Sequence, residues 1–369
     1  MTRGWRDRTL LDLLTEHGLD LLPEHEFPND GWSGATFTSL VDGYGRRYVL
    51  KRTSLEQDWI ARATLDHELR EAWLAALPAG ALAWIPQSMT PYLGAAADGE
   101  GVAILTPDMS NELIAWERPG HDPSIDGATL DRVLRAMVRL HAVPWSRVLE
   151  TVAERDDRPP PPWCPLPERL TLLAPQSAER YREEGNAVGE RFLKGWAAFR
   201  RQAPTNAWDL IERLGTDPAP LILALEVLPW LGLHGDLKLA NVALLPDDQV
   251  GFIDWQMTMR APFAVELGWF LVANSASLPL GPDDVMRGYR RVLEGDGARW
   301  SAGSEDEDVG LTGDWDLQLD LTWIVGLLLR GWRKGLDAES GVVLPSGISA
   351  ARDLAWWCER AVEGAYRRL

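Results

Sequence analysis

Cysteine is nearly missing: Cys164 and Cys358 are the two in 369 residues. Neither has a neighbour at zinc-ligand spacing, so a zinc module is not expected. One disulfide at most can form, and a reduced, cytoplasmic setting fits. Positive charge is also short, with 37 Lys and Arg against 55 Asp and Glu and a net charge of -18. A nucleic-acid partner needs a clustered basic surface and is not expected. Long apolar runs are missing too. The nearest, LTWIVGLLL from Leu321 to Leu329, falls short of the roughly 20 residues of a membrane span and is closed by Arg330, so no membrane partner is expected. The opening MTRGWRDRTLLDLLTEHGLD is charged and helical in pattern, without the apolar run and cleavage site of a signal peptide. No internal repeat is evident.

What is present reads as globular: 46% hydrophobic and 25% charged residues, in a chain long enough for two domains. The acidity favours a cationic small substrate, or serves only solubility. Most of the 19 Trp belong in cores, and a few can line a pocket for an apolar or cationic ligand.

The first twenty residues predict an amphipathic helix on Leu10, Leu11, Leu13, Leu14 and Leu19. Strands follow at Ala35 to Val41 and Arg46 to Arg52, with Arg47, Val49 and Lys51 on one face and Tyr48 and Leu50 on the other. A helix is expected from about Ala61 to Leu77, with Leu69, Trp73 and Leu77 on its apolar stripe and Glu68 and Glu71 on one side. Pro86 to Tyr92 and Gly101 to Leu105 read as further strands, and Thr106-Pro107-Asp108 breaks the pattern. That places a lobe boundary at 105/106: residues 1–105 as a small strand-rich lobe and 106–369 as a larger, mainly helical one. Helices are expected from Asp126 onward, and near Ser177 to Arg201, Ala207 to Leu214, Glu266 to Ala276, Pro282 to Leu293, Leu317 to Lys334 and Ile348 to Arg368. PPPPWCPLP, from Pro159, reads as a stiff connection and GSEDEDVGLTGDWD, from Gly303, as an acidic loop.

Inside the helical part lies HGDLKLANVALLPDDQVGFIDWQ, starting at His234. Val242 to Leu245 and Gln249 to Ile253 predict a hairpin about Pro246-Asp247-Asp248. Folding it leaves Asn241 and Asp254 equidistant from the centre, and Asp236 enters the first strand nearby. Oxygen donors so placed suit Mg²⁺, which takes one or two carboxylates plus phosphate oxygens. A separate Asp236 can orient an acceptor hydroxyl and take its proton. The spacing of His234, Asp236 and Asn241 is the H-x-D-L-x-x-x-N pattern of kinase catalytic loops. HxD alone is commonly only a turn, but other features stand in the matching order upstream. Lys51 ends the apolar strand VLK, Glu71 or Glu68 on the next helix can pair with it, and the turn Asp30-Gly31-Trp32-Ser33-Gly34 can place backbone N–H groups over phosphates.

With these residues in place, the chain resembles the aminoglycoside phosphotransferase and choline kinase family, small-molecule kinases with a bilobal, protein-kinase-like α+β fold. HGDLKLANV and GFIDWQ are similar to that family's catalytic loop and metal segment, REAWLAAL to its lobe-spanning helix, and GVAILTPDMS to its inter-lobe hinge. The resemblance implies ATP and Mg as cofactors and a small-molecule acceptor, such as an amino sugar, aminoglycoside or amino alcohol. It makes Asp236 the catalytic base, with His234 bracing the loop, and Asn241 and Asp254 the metal ligands. Lys51, oriented by Glu71 in preference to Glu68, would hold the α- and β-phosphates. Ser33, Gly34, Thr106 and Met109 would complete the nucleotide site. Lys238 either contacts the γ-phosphate or is a solvated loop lysine. His141, in RLHAVPW, reads as structural and Glu266 as a helix cap. Asp316 and Asp320, near Trp315 and Trp323, are acceptor-site candidates, each with a plain structural alternative as loop and helix-turn carboxylates. Two other readings compete: a nucleotide-binding regulatory module, which the full Lys51, Asp236, Asn241 and Asp254 set disfavours, and a protein kinase, which Trp255-Gln256 in place of a DFG ending disfavours.

Overall fold

The computed structural model describes residues 4–20, 25–26, 33–86, 88–114, 124–153, 163–297 and 313–369. Elements run in the order α1 (Leu10–Glu16), β1 (His25–Glu26), β2 (Thr36–Val41), β3 (Arg47–Thr53), α2 (Trp59–Ala63), α3 (Arg70–Ala75), α4 (Ala79–Leu82), β4 (Gly94–Asp98) and β5 (Gly101–Pro107). Then follow α5 (Gly127–His141), α6 (Trp145–Ala153), α7 (Leu166–Thr171), α8 (Pro175–Glu183), α9 (Ala187–Gln202), α10 (Thr205–Thr216) and α11 (Ala219–Glu226). The chain closes with β6 (Leu231–Leu233), β7 (Val242–Leu244), β8 (Val250–Phe252), β9 (Met259–Ala261), α12 (Phe263–Ala273), α13 (Pro282–Val292), α14 (Trp315–Glu339) and α15 (Ala350–Arg368). The expected α+β class holds, with an antiparallel sheet near the N-terminus and a helical C-terminal part.

Two compact units emerge, and they do not follow one cut. The first takes residues 1–113, 143–165 and 241–258; the second takes 114–142, 166–240 and 259–369. The boundary read at 105/106 falls within the first unit, because pairing carries the chain further. Leu244 N–H donates to the Glu112 carbonyl at 2.8 Å, which draws the β7–β8 hairpin into that unit.

In the first unit the sheet order is β1-β2-β3-β5-β4, antiparallel at each step. Strand alternation sends Leu40, Tyr48, Leu50, Ala103 and Leu105 to one face, where Leu13 and Leu14 of α1 pack on them. Val102 and Ile104 occupy the other face with Leu69 and Ala72. Lys51 pairs with Phe37 and Ile104, so it sits in the central strand. The Thr9 side chain and Asp12 form a capping box that starts α1, which is shorter than the twenty-residue pattern suggested.

Three sequence expectations change. The helix expected over Ala61 to Leu77 is broken into α2 and α3, with Leu65 and Leu69 at φ 54° and 53° between them. The Asp66 carboxylate accepts the Arg70 N–H at 2.9 Å and restarts the helix, a local side-chain bond competing with the backbone ladder. Pro86 to Tyr92 is not a strand; the edge strand is β4, because Pro86 and Pro91 cannot donate to a ladder. The helix expected from Ser177 to Arg201 is two, α8 and α9, divided at Gly185 (φ 77°), with the Asn186 side chain capping the second. The polyproline start, residues 159–162, and most of the acidic loop lie outside the described residues.

The hairpin forms, with a register one residue from the expected one. Val242 pairs with Phe252 and Leu244 with Val250, which centres the turn on Asp247. Asn241 therefore faces Ile253, whose N–H it accepts at 3.0 Å, and Asp254 is the next residue out. The cause is a three-residue tip in which Asp247 and Asp248 both take positive φ, 55° and 57°.

The second unit is built on α14, which packs against α9, α12 and α15. Many tryptophans serve this core as expected: Trp323, Trp356 and Trp357 pack edge-to-face at 5.1 to 5.6 Å, and Trp332 meets Phe192 at 5.1 Å. The α9–α14 crossing is close because Gly195 and Gly335 lack side chains; a Cβ on Gly335 would land on the Phe199 backbone. Cys164 and Cys358 are both buried free thiols. Among the described residues no helix is long and apolar enough to cross a membrane.

The glycine crossing gives a test of this packing. Gly335→Ala is expected to lower unfolding free energy by about 1–3 kcal/mol in urea titration, through overpacking. Gly127→Ala, in open space at the start of α5, should leave it unchanged or slightly raised.

Candidate active site

Within the first unit, Lys51 meets two carboxylates. Its Nζ lies 2.5 Å from Glu71 Oε2 and 2.8 Å from Asp254 Oδ1. Burial pulls the Lys51 pKa down, but the charges of Asp254 and Glu71 prevail and hold it above its ordinary 10.5. The ammonium is therefore a fixed positive charge. Glu71 is held from a second side by the Tyr92 hydroxyl at 2.7 Å, and burial with the Glu71 charge pushes the Tyr92 pKa well up. Glu68 instead pairs with Arg6 at 2.8 Å, so the choice of Glu71 as the lysine partner agrees with the geometry. The pair is nearly dry, and deleting one partner of such a pair typically costs about 3–5 kcal/mol.

Asp254 lies two residues past β8 in the left-handed region, at φ 65° and ψ 57°. Aspartate tolerates this better than most residues. The residues after it, seen in the sequence only as departures from DFG, have structural duties. Trp255 is fully buried and its indole N–H donates to the Phe252 carbonyl at 2.8 Å. Gln256 donates to Asp58 Oδ2 at 2.7 Å and its carbonyl accepts from Arg70 Nη1 at 3.2 Å. Asp58 in turn caps α2. The segment carrying Asp254 is thereby bolted to the helices beside Lys51 and Glu71.

The other residues expected on the nucleotide side lie in the same unit. Ser33 and Gly34 lead into β2; Gly34 has φ +91°, and a Cβ there would meet the Gln57 carbonyl at 2.6 Å. Residues 30–32 of that turn lie outside the described residues. Thr106, in β5, pairs with Val49, and its hydroxyl donates to the Val49 carbonyl at 3.4 Å. Met109 follows the strand and is buried. As possible metal donors, Asn241 offers a carboxamide and Asp254 a carboxylate. Among the described residues no group of three or more His, Cys, Asp or Glu could hold a metal. That donor set fits an ion such as Mg²⁺, which completes its shell with phosphate and water, and does not fit an all-protein cage.

Of the residues expected in the catalytic loop, His234, Asp236 and Lys238 lie in the second unit. His234 is fully buried, and its Nδ1 accepts the Asp236 N–H at 3.3 Å. Gly235 has φ +80°, a conformation that favours glycine. Asp236 Oδ2 lies 3.0 Å from Lys238 Nζ, so Lys238 is not simply solvated. The loop backbone is held along its length. His234 N–H and Gly235 N–H donate to the two oxygens of Glu266 at 3.1 and 2.7 Å. Arg169 Nε donates to the Gly235 carbonyl at 3.0 Å, and Leu239 N–H donates to Asn274 Oδ1 at 2.8 Å.

Glu266 is thus not a helix cap. Pro262 is the N-cap of α12, and Glu266 turns inward to hold the loop. Its Oε2 also meets His141 Nε2 at 3.1 Å, and His141 Nδ1 meets the Tyr289 hydroxyl at 2.6 Å, which gives the expected structural histidine its role. Burial raises the Glu266 pKa, but the bond and charge of His141, the charge of His234 and the Gly235 N–H bring it below the usual 4.5. One signal was available: Glu266 is the lone charge in an otherwise apolar helix, FAVELGWFLVA, and such a carboxylate needs buried partners. Arg169 and Asn274 had no comparable signal.

The two acceptor candidates do not join this cluster. Asp320 is paired with Arg367 at 2.6 Å and Arg368 at 2.7 Å, tying α14 to the end of α15. Asp316 is exposed in the first turn of α14.

The model of the phosphotransferase enzyme family known as APH matches residues 24–303, and the chain belongs to that family. It is a phosphotransferase. No curated protein matches it. Solved structures resemble it at low identity. An aminoglycoside-3'-phosphotransferase of type VIII is 20% identical, with 82% of this chain and 94% of that one covered and a TM-score of 0.40. An amicoumacin kinase in complex with AMP-PNP, Ca²⁺ and Ami is 13% identical over 96% and 92%, with a TM-score of 0.49. The choline kinase LicA from Streptococcus pneumoniae is 11% identical over 97% and 97%, with a TM-score of 0.47. Family membership rests on the family model.

The Glu266 clamp has a pH signature. Its folded pKa lies below the unfolded value, so its stabilisation is present above about pH 4.5 and is lost as pH falls through the folded pKa. Glu266→Gln should cost about 3 kcal/mol at neutral pH. It should also flatten the decline of unfolding free energy between roughly pH 5 and pH 3. Chemical denaturation across that range measures both, and parallel curves for the two proteins would refute the assignment.

Proposed function

We propose that the protein transfers the γ-phosphate of ATP to a hydroxyl of a small molecule, using Mg²⁺. The observation that carries this reading is the buried Lys51 ammonium gripped by Glu71 and Asp254, in a chain of the phosphotransferase family. Lys51 would neutralise the α- and β-phosphates, with Ser33, Gly34, Thr106 and Met109 lining the rest of the nucleotide site. Asn241 and Asp254 would hold the metal, which supplies charge neutralisation at the phosphates when bound. On metal binding, the Asp254 carboxylate would be shared between the ion and Lys51.

Asp236 is the base in this reading. The acceptor oxygen attacks the γ-phosphorus, the bond to the β,γ-bridging oxygen breaks, ADP leaves, and the hydroxyl proton passes to Asp236. Little covalent help is required, so positioning counts most. The fixed backbone of His234, Gly235 and Leu239 holds Asp236 in place, and Lys238 at 3.0 Å keeps its carboxylate oriented and can follow the moving charge. Nucleotide binding would fall mainly to residues 1–105 with the hinge at Thr106 and Met109, and catalysis to residues 106–369. The acidic residues suggested for a cationic acceptor lend no support, since Asp320 is neutralised by two arginines.

The test is ADP release by the purified protein with MgATP against hydroxylated small molecules, including amino sugars, aminoglycosides and amino alcohols. Asp236→Asn should lower kcat by about 10²–10⁴-fold and leave MgATP binding, measured by thermal shift, intact. Turnover by Asp236→Asn at the wild-type rate would refute the base. ATP binding without transfer to any acceptor would favour a regulatory module, and failure to bind ATP would sink the kinase reading itself. A second measurement addresses the ion triad: Lys51→Met should raise the KM for ATP at least tenfold (about 1.4 kcal/mol or more), and an unchanged KM would remove Lys51 from the nucleotide site.

A further inference from the structure

Near Asp236 the second unit presents positive charge that the proposed chemistry does not use. Arg330 interrupts α14: its φ of −143° and ψ of 19° are non-helical inside an otherwise continuous helix. A break of this kind re-aims the side chain it carries. The Arg330 guanidinium lies over Trp269 at 5.3 Å and Trp332 at 5.6 Å from the ring centroids. Stacking of this kind uses the flat faces of the guanidinium and leaves its N–H edge for a partner. Arg330 Nε is buried and makes no hydrogen bond. Among the described residues no carboxylate forms an ion pair with Arg330. Arg169 shares Trp269 at 4.6 Å, but its Nε is already given to Gly235.

The surroundings are crowded with like charge. Burial, with Arg333 and Arg191, brings the Arg330 pKa down from 12.5 to about 10, while Asp236 and Asp337 act in the other direction. Both of those carboxylates are engaged elsewhere, Asp236 by Lys238 at 3.0 Å and Asp337 by Arg333 at 2.9 Å. A chain with a net charge of -18 thus keeps an unspent, planar, pre-aimed guanidinium within electrostatic reach of its candidate base. An arginine in this state suits a carboxylate or another planar oxyanion, which it can take with two parallel N–H bonds. In the proposed reaction Lys51 serves the phosphates and Lys238 is held by Asp236, which leaves Arg330 for the acceptor.

We propose that Arg330 is a specificity-determining residue that binds an acidic group of the acceptor, so that the phosphorylated molecule is a hydroxy acid and not a polycation. The proposal rests on the phosphotransferase reading with Asp236 as base. In the bound state the acceptor would place its hydroxyl at Asp236 and its carboxylate on the N–H edge of Arg330, between Trp269 and Trp332. Entry of that anion also relieves the repulsion among Arg330, Arg333 and Arg191.

The experiment presents each hydroxylated skeleton in three charge forms: glucose, glucosamine and glucuronate; glycerol, aminopropanediol and glycerate. ADP release gives kcat and KM for each with the wild type, Arg330→Gln and Arg330→Lys. The acid form should have the highest kcat/KM. Arg330→Gln should lower kcat/KM for the acid by roughly 100-fold, mainly through KM, and narrow the gap to the neutral form. Arg330→Lys, which keeps the charge and loses the fork, should fall between them and carries the test if Arg330→Gln does not fold. Preference for the amine form, absence of any charge preference, or an equal slowing of all three forms by Arg330→Gln would overturn the assignment. The last result would place Arg330 on the transferred phosphoryl group or in a purely structural role. MgATP binding by thermal shift separates the readings: ATP bound and turned over without acid preference sinks only the role of Arg330, whereas no ATP binding sinks the kinase reading beneath it.

Discussion

A buried carboxylate holds the loop that carries Asp236, the proposed base. Glu266 accepts the N–H groups of His234 and Gly235 and meets His141, so both of its oxygens are used and its charge is balanced inside an apolar helix. The arrangement works in both directions. The loop backbone cannot shift without stranding a buried charge, and the charge cannot stay buried without the loop. Gly235 makes the contact possible, because its positive φ turns two successive N–H groups toward one carboxylate. Once the backbone is fixed at 234, 235 and 239, Asp236 has a defined direction, and the His234 ring closes back on its N–H.

The first unit uses the same device with opposite sign. Lys51 is a buried cation, balanced by Glu71 from α3 and Asp254 just past β8. Glu71 is fixed in turn by Tyr92, and the segment after Asp254 by Asp58 and Arg70. Each charge is therefore positioned by neighbours whose own hydrogen bonds are satisfied elsewhere. In the proposed reaction such an array would be largely in place when the phosphates arrive, which is the condition under which fixed charges stabilise a phosphoryl transition state best. Arg330 differs from these groups because its hydrogen-bonding edge is not balanced within the chain, and for that reason its partner is sought in the acceptor.

Much of the candidate site was legible in the primary sequence because the groups proposed to act on phosphate are spaced by local geometry. His234, Asp236 and Asn241 share one loop and the start of one strand. Lys51 ends an apolar run, and the hairpin is announced by Pro246-Asp247-Asp248. Errors came where a side chain overruled a periodic pattern. Asp66 broke a helix that Leu69, Trp73 and Leu77 had predicted to be continuous, and a three-residue tip moved the hairpin register by one. Asp320 looked like an acceptor ligand because its partners, Arg367 and Arg368, lie 47 and 48 residues away at the far end of the chain. Glu266 looked like a cap because a carboxylate in a first turn ordinarily is one.

What the sequence determined by itself was the class: an α+β chain with a lysine-bearing sheet, an HxD loop and a hairpin flanked by Asn241 and Asp254, in the order expected of a phosphotransferase. Those features follow from strand alternation, turn chemistry and short-range spacing, which are encoded within a few residues of one another. Tertiary structure alone decided which charges are paired and which are left over. That Asp320 is neutralised, that Glu266 carries the loop and that Arg330 keeps a free edge are long-range facts. They depend on which distant helices meet, and burial makes the presence or absence of a partner count for kcal/mol only after they have met.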